Sequence, residues 1–265
     1  MIPIFGVDAF TDKPFSGAPA SVCLLYEERP DEWKQALAAE MNLSETAFVL
    51  WEGSGIFGLR WFTPETEVDL CGHATLATAH TLWEKGVISE SATMIFRTRS
   101  GDLVATKTAD GINLDFPRID PAPVDAHAGL VEALGTGAKI RAVMRAGDDI
   151  LVEVPAVDDV RSLRPDFNAL KTMSSRGVIV TARSDDGESD FVSRFFAPAV
   201  GIDEDPVTGS AHCALGPYWA PRLRKTVFTA LQLSKRGGVV GVEVKDERVV
   251  LSGKAVIVWE GTVAG

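Results

Sequence analysis

Cysteine is scarce in this 265-residue chain, occurring only as Cys23, Cys71 and Cys213. An odd number of thiols in apolar surroundings, with no CxxC pair, speaks against a disulfide framework or a zinc knuckle. It reads instead as reduced thiols in a cytosolic protein. Basic runs are missing as well. There are 26 Lys and Arg against 37 Asp and Glu, a formal charge of −11, so the surface should repel nucleic-acid backbones and anionic lipid. No stretch of about eighteen apolar residues exists, and the opening residues 1–8 lack a basic segment and a sustained apolar run. Neither export nor membrane insertion is expected, and the expected location is cytoplasmic. An acidic protein that handles an acidic substrate must create positive potential locally, from backbone N–H groups or a few placed side chains.

What is present suffices for a sizeable core. Hydrophobic residues make up 46% of the chain, enough for one large domain or two of ordinary size. Short β-branched or alternating runs predict strands at 4–10, 20–25, 47–51, 58–62, 94–97, 103–107 and 112–116. The second half repeats the habit at 150–154, 177–182, 190–196, 239–244, 248–251 and 255–260. Helical periodicity stands out at 31–40, 72–85, 127–134, 163–174 and 209–223, and Pro217 and Pro221 should end or kink the last of these. The class is α+β, with many antiparallel strands and few helices. Pro117, Pro121 and Pro123 stiffen the midpoint like an inter-domain linker, and the acidic loop 183–190 reads as solvated surface.

An internal echo organises the chain. Arg60-Trp61-Phe62-Thr63-Pro64 precedes Asp69-Leu70-Cys71-Gly72-His73-Ala74-Thr75. Arg194-Phe195-Phe196-Ala197-Pro198 precedes Asp205-Pro206-Val207-Thr208-Gly209-Ser210-Ala211. The separation, 194 − 60 = 134 residues, is about half the chain, as a duplicated domain would give. Each copy reads as strand, turn, acidic residue and a Gly-led helix of small residues. Apart from histidines, neither Gly72 to Trp83 nor Val207 to Ala220 has a charged residue. A helix apolar on every side belongs in an interior. The inference is a pair of core helices whose N-termini, with free N–H groups and about half a positive charge each, open toward a shared cleft.

At these residues the sequence resembles the PhzF-like phenazine-biosynthesis family, relatives of diaminopimelate epimerase. The resemblance covers nearly the whole chain. It is carried by Val7-Asp8-Ala9-Phe10 with Phe15-Ser16-Gly17-Ala18-Pro19, and by Ala39 to Phe48 around Asn42-Leu43-Ser44-Glu45-Thr46. It continues through Cys71-Gly72-His73-Ala74-Thr75, Arg99-Ser100-Gly101, Asp203 to Ala211, and Gln232 to Gly238. It implies a diaminopimelate epimerase-like duplicated fold: two pseudo-symmetric halves, each a curved, mostly antiparallel sheet or barrel around a central buried helix. The halves fall at 1–117 and 118–265, with the last strand, about 255–265, a candidate to join the first. It further implies a homodimer, no metal or organic cofactor, and an isomerase that moves a proton on a small carboxylate-bearing substrate at the cleft.

Matching positions imply Glu45 as acid/base, with His73, Asp205 and Ser210 completing the catalytic set. Gly72, His73, Thr208, Gly209 and Ser210 would bind the substrate carboxylate. Ala18 departs from the family's usual Gly-Asn-Pro, which leaves substrate identity open. Two-thiol racemisation is not expected, because Asp205 stands where the epimerases carry their second thiol.

Simpler readings stand beside these. Glu45, after a helix-to-strand turn, could be a solvated surface carboxylate; burial would instead raise its pKa and fit it for proton transfer. His73 could merely cap its helix, and the helix dipole there favours a neutral ring. Asp205 could simply serve backbone N–H groups. His80 and His212 read as core histidines. Cys71 is either a thiol activated by the helix N-terminus or a small buried side chain. Spacing among His73, His80 and Asp69 matches no recognised metal pattern. Gly135-Thr136-Gly137 and Ser252-Gly253-Lys254 lack the context of nucleotide-binding loops, and Thr208 to His212 is not a nucleophile elbow. Two rival functions stay open: a carboxylate-binding protein without turnover, and a racemase using Cys71.

Overall fold

The computed structural model describes residues 1–125, 129–137 and 139–264. In chain order the elements are β1 (Ile2–Ala9), β2 (Ala18–Leu25), α1 (Asp31–Met41), β3 (Glu45–Gly53), β4 (Ile56–Phe62), β5 (Glu67–Val68), α2 (Gly72–Glu84), β6 (Met94–Thr98), β7 (Gly101–Thr108) and β8 (Gly111–Pro117). There follow β9 (Ala122–Pro123), α3 (Leu130–Leu134), β10 (Ala142–Ala146), β11 (Asp149–Glu153), α4 (Val157–Arg161), α5 (Phe167–Lys171), β12 (Val178–Arg183) and β13 (Phe191–Ala197). The chain ends with β14 (Ile202–Asp205), α6 (Gly209–Leu223), β15 (Val227–Gln232), β16 (Gly238–Val244), β17 (Arg248–Gly253) and β18 (Ala255–Val263). This is an α+β protein dominated by sheet. Among the described residues no helix is long and apolar enough to cross a membrane.

The chain divides into two compact units, Met1–Phe116 with Val250–Gly265, and Pro117–Val249. In the first, β18, β1 and β2 are successively antiparallel, β2 runs parallel to β3, β3 antiparallel to β4, β4 parallel to β6, and β6 antiparallel to β7. In the second, β10 and β11 are antiparallel, β11 runs parallel to β12, β12 antiparallel to β13, β13 parallel to β15, and β15 antiparallel to β16. Each unit also hangs one short strand, β5 or β14, on the strand before its long helix. The 134-residue echo is therefore a repeated pairing pattern, and it reaches side chains. Arg60 lies 5.2 Å from the Phe62 ring and bonds Glu67; Arg194 lies 4.9 Å from Phe196 and bonds Glu204.

The two Gly-led helices are interior. In α2 every residue from His73 to Trp83 except His80 is buried, and the helix packs on β1, β2, β3 and β18 of its own unit. Burial of Leu76, Leu82 and Trp83 contributes roughly 1.5–3 kcal/mol each. Buried threonines would be costly here, but Thr75, Thr78 and Thr81 each donate to the carbonyl four residues earlier, at 2.6–2.8 Å.

Helix α6 corrects the expectation of an early end. It runs through Pro217 and Pro221 to Leu223. Pro217 has no N–H for the Cys213 carbonyl, and the Ile119 N–H donates to that carbonyl at 3.2 Å instead. On the next face Gly216 sits so close to β16 that a Cβ would lie 2.8 Å from Val242 and 2.9 Å from Val244.

Other boundaries moved for identifiable reasons. The helix expected at 163–174 shrinks to α5, because Pro165 enforces extended chain before it and the Asp166 carboxylate caps the Ala169 N–H at 3.0 Å. The one expected at 127–134 is helical over Leu130–Leu134, and residues 127 and 128 lie outside the described residues. The proline-rich midpoint is not a bare linker, since Ala122 and Pro123 pair with β10. Nor is the acidic loop 183–190 simply solvated: Asp186 accepts the Glu188 and Ser189 N–H groups and Asp190 accepts that of Thr229.

Candidate active site

Glu45 is placed by a helix stop. Asn42 takes the left-handed conformation (φ 51°) that ends α1, its N–H returning to the Ala38 carbonyl, and three residues later the chain enters β3 at Glu45, opposite Ala20 of β2. The carboxylate is no surface group; Glu45 is 8% exposed. Its Oε2 lies 2.9 Å from His73 Nε2. The contact is close but out of line, so this buried oxygen accepts no aligned hydrogen bond.

His73 is the second residue of α2 and is 3% exposed. Cys71 holds the cap position with extended backbone, and its Sγ lies 3.7 Å from His73 Nδ1 and 3.9 Å from Nε2. Burial pulls the imidazole pKa down, yet the Cys71 sulfur and the Glu45 carboxylate together outweigh it and hold the ring well above the ordinary histidine value. The neutral ring expected from the helix dipole is overridden by partners at contact distance. Cys71 goes the other way from an activated thiol: burial, reinforced by the Glu45 charge, pushes it up to about 11. Cys23 and Cys213 are likewise buried, and neither is in a disulfide.

The equivalent place in the second unit is built differently. Asp205 ends β14 at 9% exposure, and the Thr208 hydroxyl donates to its Oδ2 at 2.6 Å. Gln232 of β15 spans this turn, accepting the Thr208 N–H at 2.8 Å while its amide donates to the Asp205 carbonyl at 2.7 Å. The Thr208 N–H is thereby committed within the turn. Gly209 and Ser210 occupy the first two positions of α6, as Gly72 and His73 do in α2.

The Ser210 hydroxyl accepts from Arg176 Nη2 at 2.9 Å, and the same guanidinium grips the Asp149 carboxylate in a two-pronged pair. Arg176 and Asp149 went unread in the sequence. The available signal was Arg176 just ahead of Gly177 and the apolar run Val178-Ile179-Val180; in the structure a Cβ on Gly177 would strike the Phe195 ring that lies under Arg176. Gln232 fell within a recognised motif but was given no role.

The remaining histidines separate. His80 is half-buried and its pKa is lowered by burial. His212 is fully buried, with Nδ1 2.8 Å from the Thr208 carbonyl and the ring pushed down to about 4 by burial. Asp69 is exposed. Ala18 is buried at the start of β2, opposite Ala9.

Comparisons with known proteins fit this arrangement. The family model described as phenazine biosynthesis-like protein matches residues 7–261. An uncharacterised isomerase of Halalkalibacterium halodurans is 49% identical over 257 residues, 97% of this chain and 96% of that protein. One from Pseudomonas aeruginosa is 50% identical, over 99% of this chain and 98% of its own. A PhzF-family crystal structure from Enterococcus faecalis superposes with a TM-score of 0.92 at 45% identity, over 98% of each chain. A probable proline racemase from Agrobacterium radiobacter, 12% identical with a TM-score of 0.66 over 100% of this chain and 93% of that one, shares the fold. From its repeated pairing pattern to its match over nearly the full length, the chain belongs to the PhzC-PhzF family of phenazine biosynthesis-like proteins.

Proposed function

We propose that this member of an isomerase family relocates a proton on a small carboxylate-bearing substrate, with Glu45 as the acid/base. The observation that supports it most is the buried Glu45 carboxylate, 2.9 Å from His73 Nε2 at the start of an interior helix and without an aligned donor. Such a carboxylate has lone-pair capacity left for a carbon acid. In the reaction Glu45 takes a proton from a substrate carbon, and the bonding pair spreads toward the neighbouring unsaturated or carboxyl group. The proton then returns at a different carbon, so the product is an isomer with no change in composition. His73, 2.9 Å from that carboxylate, favours the ionised form of Glu45 before the proton is taken and again after it has been returned. Asp205 and Ser210 complete the set, and the helix-start groups of Gly72, His73, Gly209 and Ser210 hold the substrate carboxylate. Thr208 serves by keeping that turn in shape.

A racemase reading would need a Cys71 thiolate, and a thiol pushed up to about 11 is a poor source of one.

The test is deuterium incorporation from D2O into a panel of cyclic and acyclic amino- and hydroxy-acids, followed by NMR. Exchange at carbon should appear in the wild type, fall by at least about a hundredfold in Glu45→Gln, and survive in Cys71→Ala. Exchange that dies with Cys71→Ala would install the racemase reading. Binding without exchange across the panel would leave a carboxylate-binding protein.

A further inference from the structure

Glu45, Cys71 and His73 also satisfy the needs of a chemistry that the proton-transfer reading does not use. One carboxylate oxygen, Sγ and one ring nitrogen from these three buried residues all lie within 4.8 Å of one another. His73 Nε2 stands 2.9 Å from Glu45 Oε2 and 3.9 Å from Cys71 Sγ. In a tetrahedral zinc site, with bonds of about 2.0 Å to nitrogen and oxygen and about 2.3 Å to sulfur, neighbouring donor atoms sit roughly 3.3–3.6 Å apart. The two separations that involve His73 bracket that range, and the third lies within 4.8 Å, so modest side-chain shifts would form the site. A second observation points the same way: Glu45 Oε2 is shielded from water and takes no aligned hydrogen bond. A cation placed among the three would satisfy that oxygen directly.

The linear sequence hides this set, because Glu45 comes from β3 while Cys71 and His73 come from the start of α2. Spacing along one helix directs attention to His73, His80 and Asp69, and Asp69 is exposed.

We propose that Glu45, Cys71 and His73 capture a thiophilic divalent cation such as Zn2+, leaving its fourth position open. The donor set selects the metal class. A thiolate and an imidazole suit zinc or cobalt, whereas magnesium and calcium demand more ligands and oxygen alone. On binding, the ion displaces the protons of Cys71 and His73 to solvent, and the resulting thiolate and the carboxylate together supply two negative charges, which cancel the charge of the ion in a buried setting. A metal held there occupies the lone pairs of Glu45, so it acts as an inhibitor of proton transfer and not as a resident cofactor. Binding itself does not depend on the proposed reaction and is measurable without a substrate.

The experiment uses the tag-free full-length chain and Co2+ as a spectroscopic probe. One equivalent of cobalt should give the intense visible bands of a four-coordinate ion together with a thiolate-to-cobalt charge-transfer band. Zinc should displace it, and magnesium in large excess should not. Cys71→Ser should abolish the charge-transfer band and weaken binding at least tenfold. Glu45→Gln should weaken binding at least tenfold while keeping the band. A weak six-coordinate spectrum without charge transfer, or unchanged affinity in both variants, would overturn the proposal. X-ray absorption at the zinc edge of the wild-type complex needs no variant. One sulfur in the shell supports the site, and a shell of nitrogen and oxygen alone defeats it, even if Cys71→Ser fails to fold.

Discussion

The starts of α2 and α6 occupy equivalent places in the two units and have been filled by opposite means. At α2 the polar groups are few, buried and imperfectly matched: an acid, an imidazole and a thiol in close contact without an aligned bond to Oε2 of Glu45. At α6 the groups are locked, with Thr208 bonded to Asp205 and Gln232, and Ser210 bonded to an arginine that is itself anchored by Asp149. An under-satisfied carboxylate has acceptor capacity left for a proton, while a turn cross-bonded through Thr208, Gln232 and Ser210 is held in shape. One duplicated scaffold thus carries an acid–imidazole–thiol contact at one helix start and a cross-bonded turn at the other.

If that contrast holds, breaking the locked end should cost folding stability more than anything else. Arg176→Met leaves the Asp149 carboxylate, 3% exposed, without its cation. Stranding a buried charge costs about 3–5 kcal/mol, which urea unfolding would report. The double variant Arg176→Met with Asp149→Leu should recover most of the loss. A single variant as stable as wild type would show that the pair is ornamental and the contrast false.

The next largest effect is a difference in pH response. His212 is pushed down to about 4 in the folded chain, against about 6.5 when unfolded. Between those values the unfolded chain binds the extra proton, so acidification through this window removes up to about 3 kcal/mol of stability. His73, raised by its partners, behaves inversely: its contribution is complete below its unfolded value and fades as pH climbs through the raised one. The urea midpoint of His212→Leu should therefore decline less than that of wild type from pH 6.5 to 4. His73→Gln should lose its relative disadvantage on the alkaline side. Parallel pH curves for wild type and His212→Leu would remove the electrostatic half of the comparison.

Much of this was legible beforehand because it rests on local pattern. The uncharged run from Gly72 to Trp83 and the repeated Arg-x-Phe strands reveal buried helices and a duplication by periodicity alone. The motifs around Glu45, His73 and Asp205 do so by resemblance. What escaped is non-local. Nothing near Pro217 says that the Ile119 N–H will serve the orphaned Cys213 carbonyl. Nothing near Arg176 says that Asp149 and Ser210 will meet it, and the strands Ala142–Ala146 and Val227–Gln232 were missed because their partners, not their own composition, make them strands. The neighbours of His73 escaped for the same reason: a dipole is visible in sequence, whereas a carboxylate arriving from another strand is not.

Gln232 offers a finer test of the locked turn. Gln232→Leu keeps the volume and leaves the buried Thr208 N–H without its acceptor, at a cost of about 2 kcal/mol. The amide proton of Thr208 should exchange faster, while those around Glu45 keep their protection. Equal loosening at both helix starts would mean that the two ends are one cooperative structure.

The smallest expected change concerns how α6 tolerates its prolines. In Pro217→Ala the new N–H can close the helical bond to the Cys213 carbonyl that Ile119 now serves at 3.2 Å. The carbonyl had a donor already, so little is gained there, and the more flexible unfolded chain offsets it by about 0.4–1 kcal/mol. Stability should stay within about 1 kcal/mol of wild type, and the Ile119 amide should lose protection as its acceptor is shared. A gain near the roughly 3 kcal/mol that separates alanine from proline inside a helix would show Pro217 to be a strain that Ile119 does not relieve. The second unit's helix would then be the less settled of the two, reversing the contrast drawn between them.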